Sequence, residues 1–311
     1  MRRPWRLSRA LPAGGAAALA ALATSASEPG VAQPPHRAIA VEAGALTLRA
    51  VRAGSGPTVL LLHGYGESLL SWQNVFDRLE GEADVVALDL PGFGLSSKPS
   101  SGYATDSLAA TVLRAMDALH IGQAVLVGHS LGGAVAAAAA VAAPERVRGL
   151  VLVDPAVVGG RWVGGAGAAS EATRRVVGRG VAEYEALRLR FVGVHDPTWL
   201  AESESAFAYV PSADTAYVVA LQSVLREFDF SYLTAERAAR LRMPILLVWG
   251  AYDRTVPVDL GRSLARALPT SEFHVIGRSW HRPHVERPAE VASLIFGFLR
   301  RLPGSKELEG H

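Results

Sequence analysis

Three residue types that together perform nucleophilic acyl transfer stand at turn positions in this chain. Residues 126–133 read Leu-Val-Gly-His-Ser-Leu-Gly-Gly, and the five from Gly128 to Gly132 fit the pattern G-x-S-x-G around Ser130. The apolar run from Ala124 to Val127 reads as a strand, and the alanine-rich stretch from Gly133 to Ala143 as a helix. A serine on such a strand-to-helix turn sits in a strained conformation, its hydroxyl pushed clear of the sheet. Glycines flank it because side chains there would collide with the neighbouring strand and helix. Serine is a weak nucleophile at its own pKa, so the reading requires a base and an orienting acid. Asp253 lies just beyond the apolar run Ile245 to Trp249, at the strand end where open α/β sheets place their ligands. His281 follows a strand expected at Glu272 to Ile276 and precedes an amphipathic helix at Pro288 to Arg301. All three candidates therefore fall at strand ends on one edge of a sheet.

From about Ile39 to Leu302 the chain resembles the α/β-hydrolase superfamily, specifically its lid-bearing serine hydrolases. The resemblance is carried by five segments in order. They are His63-Gly64-Tyr65-Gly66, the run Asp89-Leu90-Pro91-Gly92-Phe93-Gly94-Leu95-Ser96, the serine turn, Trp249-Gly250-Ala251-Tyr252-Asp253, and the segment His281 to Pro288. It implies an α/β fold with a mostly parallel central sheet, helices on both faces, and a helical lid inserted after the sixth strand. It also implies a catalytic triad of Ser130, His281 and Asp253 acting through an acyl-enzyme, with the acid preceding the histidine in the chain. The oxyanion donors implied are the backbone N–H groups of Leu131 and Tyr65. Serine at position 130 argues against epoxide hydrolases and haloalkane dehalogenases, which carry aspartate there. Carboxylic ester hydrolysis is the first expectation. Carbon–carbon bond hydrolysis of dienol-type ketones, perhydrolysis, amide or lactone opening, and a non-catalytic ligand-binding relative are the alternatives.

Rival residues need placing. His129 adjoins Ser130, but neighbouring side chains diverge at a tight turn. His63 is expected to support the turn after its strand, and His274 to be structural. His284 is the rival base, and the family pattern favours the first histidine of H-x-x-H. That pattern usually has glycine before this histidine; here it is Trp280, which would be strained if the position required positive φ, the alternative being that its indole lines the pocket. Asp154 is the rival acid, since some relatives draw the acid from that strand end, and Asp89 is expected to brace its Pro-Gly turn. Trp280, Trp162 and Trp199 are the expected substrate-binding residues, for a small apolar ester or acyl substrate.

The positioning elements follow from periodicity and punctuation. Residues 39–53 read as an edge hairpin broken near Gly44. Thr58 to Leu62, Asp84 to Leu88 and Val147 to Val153 read as buried strands, and Ser71 to Leu79 and Asp106 to His120 as helices. The core is expected over residues 38–154 and 242–302, with a tail at 303–311. Between them, 155–241 contains no convincing core strand but has a glycine-rich start and three expected helices, at 170–191, 197–207 and 212–226. An insertion of that length is too long for a structureless loop, so it is expected to be a lid.

The 311 residues are 50% hydrophobic, enough to bury one large core. With no cysteine, disulfides, thiolate metal sites and a cysteine nucleophile are excluded. The nine histidines form no H-E-x-x-H pattern, and neither a metal nor a cofactor is expected. Four of the 31 basic residues (Arg2, Arg3, Arg6, Arg9) and one of the 29 acidic ones (Glu28) precede residue 33. The body is thus nearly neutral and carries no electrostatic footprint for nucleic acid; nothing in it speaks to oligomeric state. Residues 1–33 themselves show a charged start, a short alanine-rich apolar region and small residues at 24–27. This is a signal-peptide pattern, implying export to the periplasm or beyond. A disordered leader on a cytoplasmic or membrane-associated protein is the alternative.

Overall fold

The computed structural model describes residues 36, 38–157, 215–268 and 270–303. The leader, the expected helices at 170–191 and 197–207, the residues Trp162 and Trp199, and all but the first residue of the tail lie outside that set. The architecture is an α/β fold built on an eight-stranded, mostly parallel sheet.

The strands are β1 (Ala38–Ala43), β2 (Leu46–Ala53), β3 (Thr58–Leu62), β4 (Asp84–Leu88), β5 (Ala124–His129), β6 (Val147–Val153), β7 (Ile245–Gly250) and β8 (Ser271–Ile276). Their order across the sheet is β1-β2-β4-β3-β5-β6-β7-β8. The hairpin β1–β2 is antiparallel and β2 joins β4 antiparallel; every other pairing is parallel. Strands β4, β5 and β7 are buried along their whole length. That is why they read as continuous apolar runs rather than alternating ones: helices cover both faces.

On one face lie α1 (Gln73–Leu79) and the C-terminal α8 (Pro288–Arg301), packed on Val59, Leu61, Val125 and Val127. On the other lie α2 (Thr105–Ala118) and α3 (Leu131–Ala142), packed on Leu60, Leu62, Leu126 and Leu150. Helix α3 is buried at every position but its last, wedged between sheet and α2, so its alanines are a packing requirement: larger side chains would push the layers apart.

The chain leaves the core after β6, and the described part of the segment before β7 holds α4 (Thr215–Glu227) and the single turn α5 (Ala235–Ala238). Helix α4 rests on the loops at the sheet's edge. Tyr217 Oη donates to Gly66 O at 3.4 Å, Tyr65 Oη to Leu221 O at 3.2 Å, and Glu227 accepts from Gly102 N and Tyr103 N at 2.9 Å.

The element bounds differ from expectation in instructive places. The helix expected from Ser71 begins as a 3₁₀ turn, Leu69–Trp72, capped by Ser68, and becomes α-helical only at Gln73. Helix α2 stops at Ala118 because His120 takes a left-handed φ of 56°. Helix α6 (Val258–Ala267), between β7 and β8, matches no element read from the sequence. It has glycine at its centre, a poor helix former, and the reason is tertiary: a Cβ on Gly261 would lie 2.6 Å from the Trp249 ring.

Candidate active site

The strand order reverses at β3 and β5, which pair with each other while their sequence neighbours lie on opposite sides. Crevices form at such a reversal, beyond the carboxyl ends of the strands. The β5 end carries Ser130, the β3 end carries Tyr65, and β7 and β8 deliver Asp253 and His281 from one side.

Ser130 has φ 49° and ψ −114°, a region that costs a non-glycine residue free energy unless its surroundings impose it. The surroundings do so. Ser130 N donates to Val153 O at 3.0 Å, and Ser130 O accepts from Ala156 N at 2.9 Å and Ala134 N at 3.2 Å. Helix α3 starts at the next residue, Leu131. A Cβ on Gly132 would overlap the carbonyls of Leu62 and His63, and one on Gly128 would overlap the first turn of α3. The glycines thus let the loop after β3 pass against the serine turn.

That loop is itself held rigidly. Gly64 to Glu67 close a β-turn through Glu67 N to Gly64 O at 3.2 Å, with Gly66 at φ 73°, the third-position conformation that favours glycine. The Gly64 carbonyl also faces His63 Nδ1 at 2.8 Å. Leu90 N donates to His63 Nε2 at 3.0 Å, so Nε2 is unprotonated and Nδ1 carries the proton to Gly64 O. Burial pushes the His63 pKa down, consistent with that neutral ring. Because a trans peptide sets N–H and C=O on opposite sides, pinning the Gly64 carbonyl also orients the Tyr65 N–H.

His281 Nε2 is 3.0 Å from Ser130 Oγ, and its Nδ1 is 2.7 Å from Asp253 Oδ2. Asp253 is oriented in turn by two backbone donors to Oδ1, Thr255 N at 2.7 Å and Val256 N at 2.9 Å. Burial alone would raise its pKa, but the charge and hydrogen bond of His281 outweigh burial and hold it below the ordinary carboxylate value. An ionised Asp253 accepts a hydrogen bond from Nδ1–H, which leaves the Nε2 lone pair facing the serine hydroxyl. Arranged so, the three groups can pass a proton from Oγ to imidazole as Oγ attacks.

The rival residues make other contacts, although Asp154 lies beside the Asp253–His281 pair itself. His284 is fully buried, stacked on Trp72 with centroids 4.2 Å apart and on His129 at 4.4 Å, and burial drives its pKa well below the usual value. His129 Nε2 donates to the His281 carbonyl at 2.6 Å, supporting that residue's backbone. Asp89 braces its turn, accepting from Leu69 N and Leu95 N at 2.8 Å each. His274, on β8, is partly exposed beside Glu272. Asp154 is buried against Asp253, with Oδ1 accepting from Gly250 N at 3.0 Å; burial and the Asp253 carboxylate push its pKa well above the ordinary value.

Trp280 does not take a positive φ; the left-handed residue of that loop is Arg278, at φ 53°. The tryptophan therefore carries none of the strain that a glycine-requiring position would impose. Its ring packs against Tyr252 at 6.0 Å and under the Arg254 guanidinium at 4.9 Å, on the loop that carries Asp253. Trp280 N donates to Glu286 Oε2 at 2.6 Å, which ties the loop to the turn α7 (Pro283–Glu286).

Sequence reasoning missed Glu67. Its side chain is 1% exposed and contacts Gly64 N, His129 and Arg282 at once. Nothing in periodicity marks it; only its place one turn after His63-Gly64 could have drawn attention. Among the described residues, three clusters bring three metal-ligating side chains within 4.8 Å of one another: Glu67–His129–His284, His36–Asp77–Glu80 and Asp154–Asp253–His281. In the third, a metal would compete with the Asp253–His281 hydrogen bond.

The family model described as alpha/beta hydrolase fold matches residues 57–288, and the chain belongs to that family of hydrolases. It is 31% identical over 272 residues to a 2-hydroxy-6-oxononadienedioate/2-hydroxy-6-oxononatrienedioate hydrolase of Burkholderia vietnamiensis, covering 80% of this chain and 89% of that one. Among solved structures it is similar to a thermophilic esterase of Thermogutta terrifontis, at 25% identity and TM-score 0.70, over 85% of this chain and 98% of the other. It is also similar to a bacterial membrane phospholipase A, at 30% identity and TM-score 0.67, over 85% of each chain.

Proposed function

We propose that this protein is a serine hydrolase that cleaves carboxylic ester bonds through an acyl-enzyme. The observation that carries the reading is the continuous line Asp253–His281–Ser130, with contacts of 2.7 and 3.0 Å. Ser130 Oγ attacks the acyl carbonyl while His281 Nε2 accepts its proton; Asp253 holds the ring and stabilises its cationic form. The N–H groups of Leu131 and Tyr65 receive the oxyanion, Leu131 aided by the positive end of α3. His281 then returns the proton to the departing alcohol. Water, deprotonated by the same imidazole, releases the acid and restores the serine.

The substrate is a small apolar ester, with the insertion between β6 and β7 as a lid and Trp280 as a pocket wall; Trp162 and Trp199, expected beside it, lie outside the described residues. Helix α4, resting on the loop of Tyr65, supports the lid assignment. The esterase and phospholipase likenesses favour an ester. The Burkholderia relative favours a second reading, hydrolysis of a carbon–carbon bond in a 2-hydroxy-6-oxo-dienoic acid. A chain-length series of p-nitrophenyl esters run beside a 2-hydroxy-6-oxo-dienoate, with Ser130→Ala as blank, separates the two. Turnover of the dienoate alone overturns the ester reading.

Residues 1–33 serve as an export signal in this reading. Amino-terminal sequencing of protein purified from the native host should begin near Ser27 or Gln33; an intact Met1 would overturn it.

A further inference from the structure

We propose that Glu67 is a positioning residue, one buried carboxylate that holds the turn carrying the Tyr65 N–H at a set distance from the loop carrying His281. The proposal rests on the serine-hydrolase reading above. Its basis is a juxtaposition: three partners of Glu67 are each the chain neighbour of a residue that reading uses, and a fourth, His284 at 3.9 Å, lies in the same buried cluster. Glu67 Oε2 accepts from Gly64 N at 2.9 Å, next to Tyr65. The same oxygen faces His129 Nδ1 at 3.3 Å, next to Ser130. Glu67 Oε1 is 2.9 Å from Arg282 Nε, next to His281. His129 closes the ring by donating from Nε2 to the His281 carbonyl at 2.6 Å.

These three chain neighbours, Gly64, His129 and Arg282, lie at or beyond the ends of β3, β5 and β8 and are 65 and 153 residues apart in sequence. Strand pairing fixes the strands but not the loops beyond them. A carboxylate is suited to joining such loops, because its two oxygens take several donors at fixed angles. It is also a costly group to bury if packing were all that was needed, since a carboxylate out of water requires full pairing. Here the pairing is supplied: burial would raise the Glu67 pKa, but His129 and Arg282 outweigh it and hold the group ionised. The glycine at 64 belongs to the same arrangement, because a Cβ there would lie 2.6 Å from His129 Nδ1 and 3.2 Å from the Glu67 carboxyl carbon.

Displacement of a reacting group by about 1 Å costs on the order of 100-fold in rate, so loss of the carboxylate should act on turnover rather than on substrate affinity. Glu67→Ala, assayed in the full chain on p-nitrophenyl butyrate, should lower kcat about 100-fold with KM changed less than threefold. The rate is expressed per site titrated with a fluorophosphonate. Glu67→Gln, isosteric and still an acceptor for Gly64 N, should recover about tenfold of that loss. A residue that only packs would lower the melting temperature and the titrated fraction but leave kcat per titrated site unchanged; that result overturns the proposal. The double variant Glu67→Gln/Arg282→Gln decides the matter should the alanine variant not fold. It should be no more than about twofold worse than the poorer single variant, and losses that multiply overturn the link between the two loops. Wild-type protein that the fluorophosphonate fails to label would overturn the nucleophile assignment and this proposal with it. A labelled wild type with unaffected Glu67 variants overturns this proposal alone.

Discussion

Asp154 and Asp253, at the ends of the adjacent strands β6 and β7, meet as one neutral and one ionised carboxyl. Asp154 Oδ2 is buried and, among the described residues, has no hydrogen-bond donor; burial and the Asp253 carboxylate favour its protonated form, which can donate to Asp253. Two carboxylates this close cannot both ionise, and His281 draws the charge to Asp253. The position that looked in the sequence like a rival acid thus donates a hydrogen bond to Asp253, the acid of the proposed triad.

An asparagine at 154 would supply the same donor and the same acceptor for Gly250 N. Asp154→Asn should keep kcat within about threefold, and asparagine tolerates the φ of 42° found there. The stability effect has a definite sign. Below about pH 3.9 the acid is protonated in both states. As pH rises past that value the unfolded chain ionises while the folded one holds its proton, so the stability contributed by Asp154 falls toward its raised folded pKa. Melting curves from pH 4 to 7 should therefore show the variant gaining steadily on wild type. A kcat loss as deep as that of Asp253→Asn would instead make Asp154 the orienting acid.

Ser130 stores strain that glycine would release. Ser130→Gly should abolish turnover and yet raise the melting temperature by a few degrees, since such backbone conformations cost about 1–3 kcal/mol. Ser130→Ala should abolish turnover without that gain. Ester hydrolysis by either variant within tenfold of wild type would remove Ser130 from the mechanism.

His281→Ala should match Ser130→Ala in severity, and the double variant should be hardly worse than either, because groups acting as one unit are non-additive. Asp253→Asn should cost about 10⁴-fold by upsetting the tautomer. His284→Ala, assayed per folded molecule, should lose less than tenfold. Should His284→Ala prove the inactive one, the register of that loop has been misassigned.

Acid stability should reflect the two buried neutral histidines. His63 and His284 have folded pKa values depressed by burial, His284 the more so. Above about pH 6.5 both states are neutral and these residues give no pH dependence. As pH drops through that value only the unfolded chain takes up the protons, so stability falls, at up to about 1.4 kcal/mol per pH unit for each. Urea midpoints between pH 7.5 and 5 should decline accordingly. His284→Phe, an apolar ring for the Trp72–His129 stack, should lower the slope by up to about 1.4 kcal/mol per pH unit; an unchanged slope would mean that His284 titrates normally.

Much of the fold was legible in the chain because local signals agreed with the tertiary outcome. The runs Thr58 to Leu62, Asp84 to Leu88 and Val147 to Val153 are strands at those bounds, and Pro288 to Arg301 is a helix at its own. Buried parallel strands need continuous apolar residues, and short runs rich in valine and leucine marked them in the sequence. Helix α6 was not legible, because the packing of Gly261 on Trp249 joins two elements and contradicts local propensity.

The site divides in the same way. Local signals were enough to mark the serine on its strained turn, and an aspartate and a histidine after later strands, because turn and strand signals span only a few residues. Tertiary structure decided what depends on distance between loops. It brought Asp253 and His281 into line with Ser130 and stacked His284 away from it. It placed Asp154 where it must hold a proton, and set Glu67 among the neighbours of all three loops. Such roles arise from charges and dipoles that meet only after the sheet has formed, and composition and spacing carry no record of them.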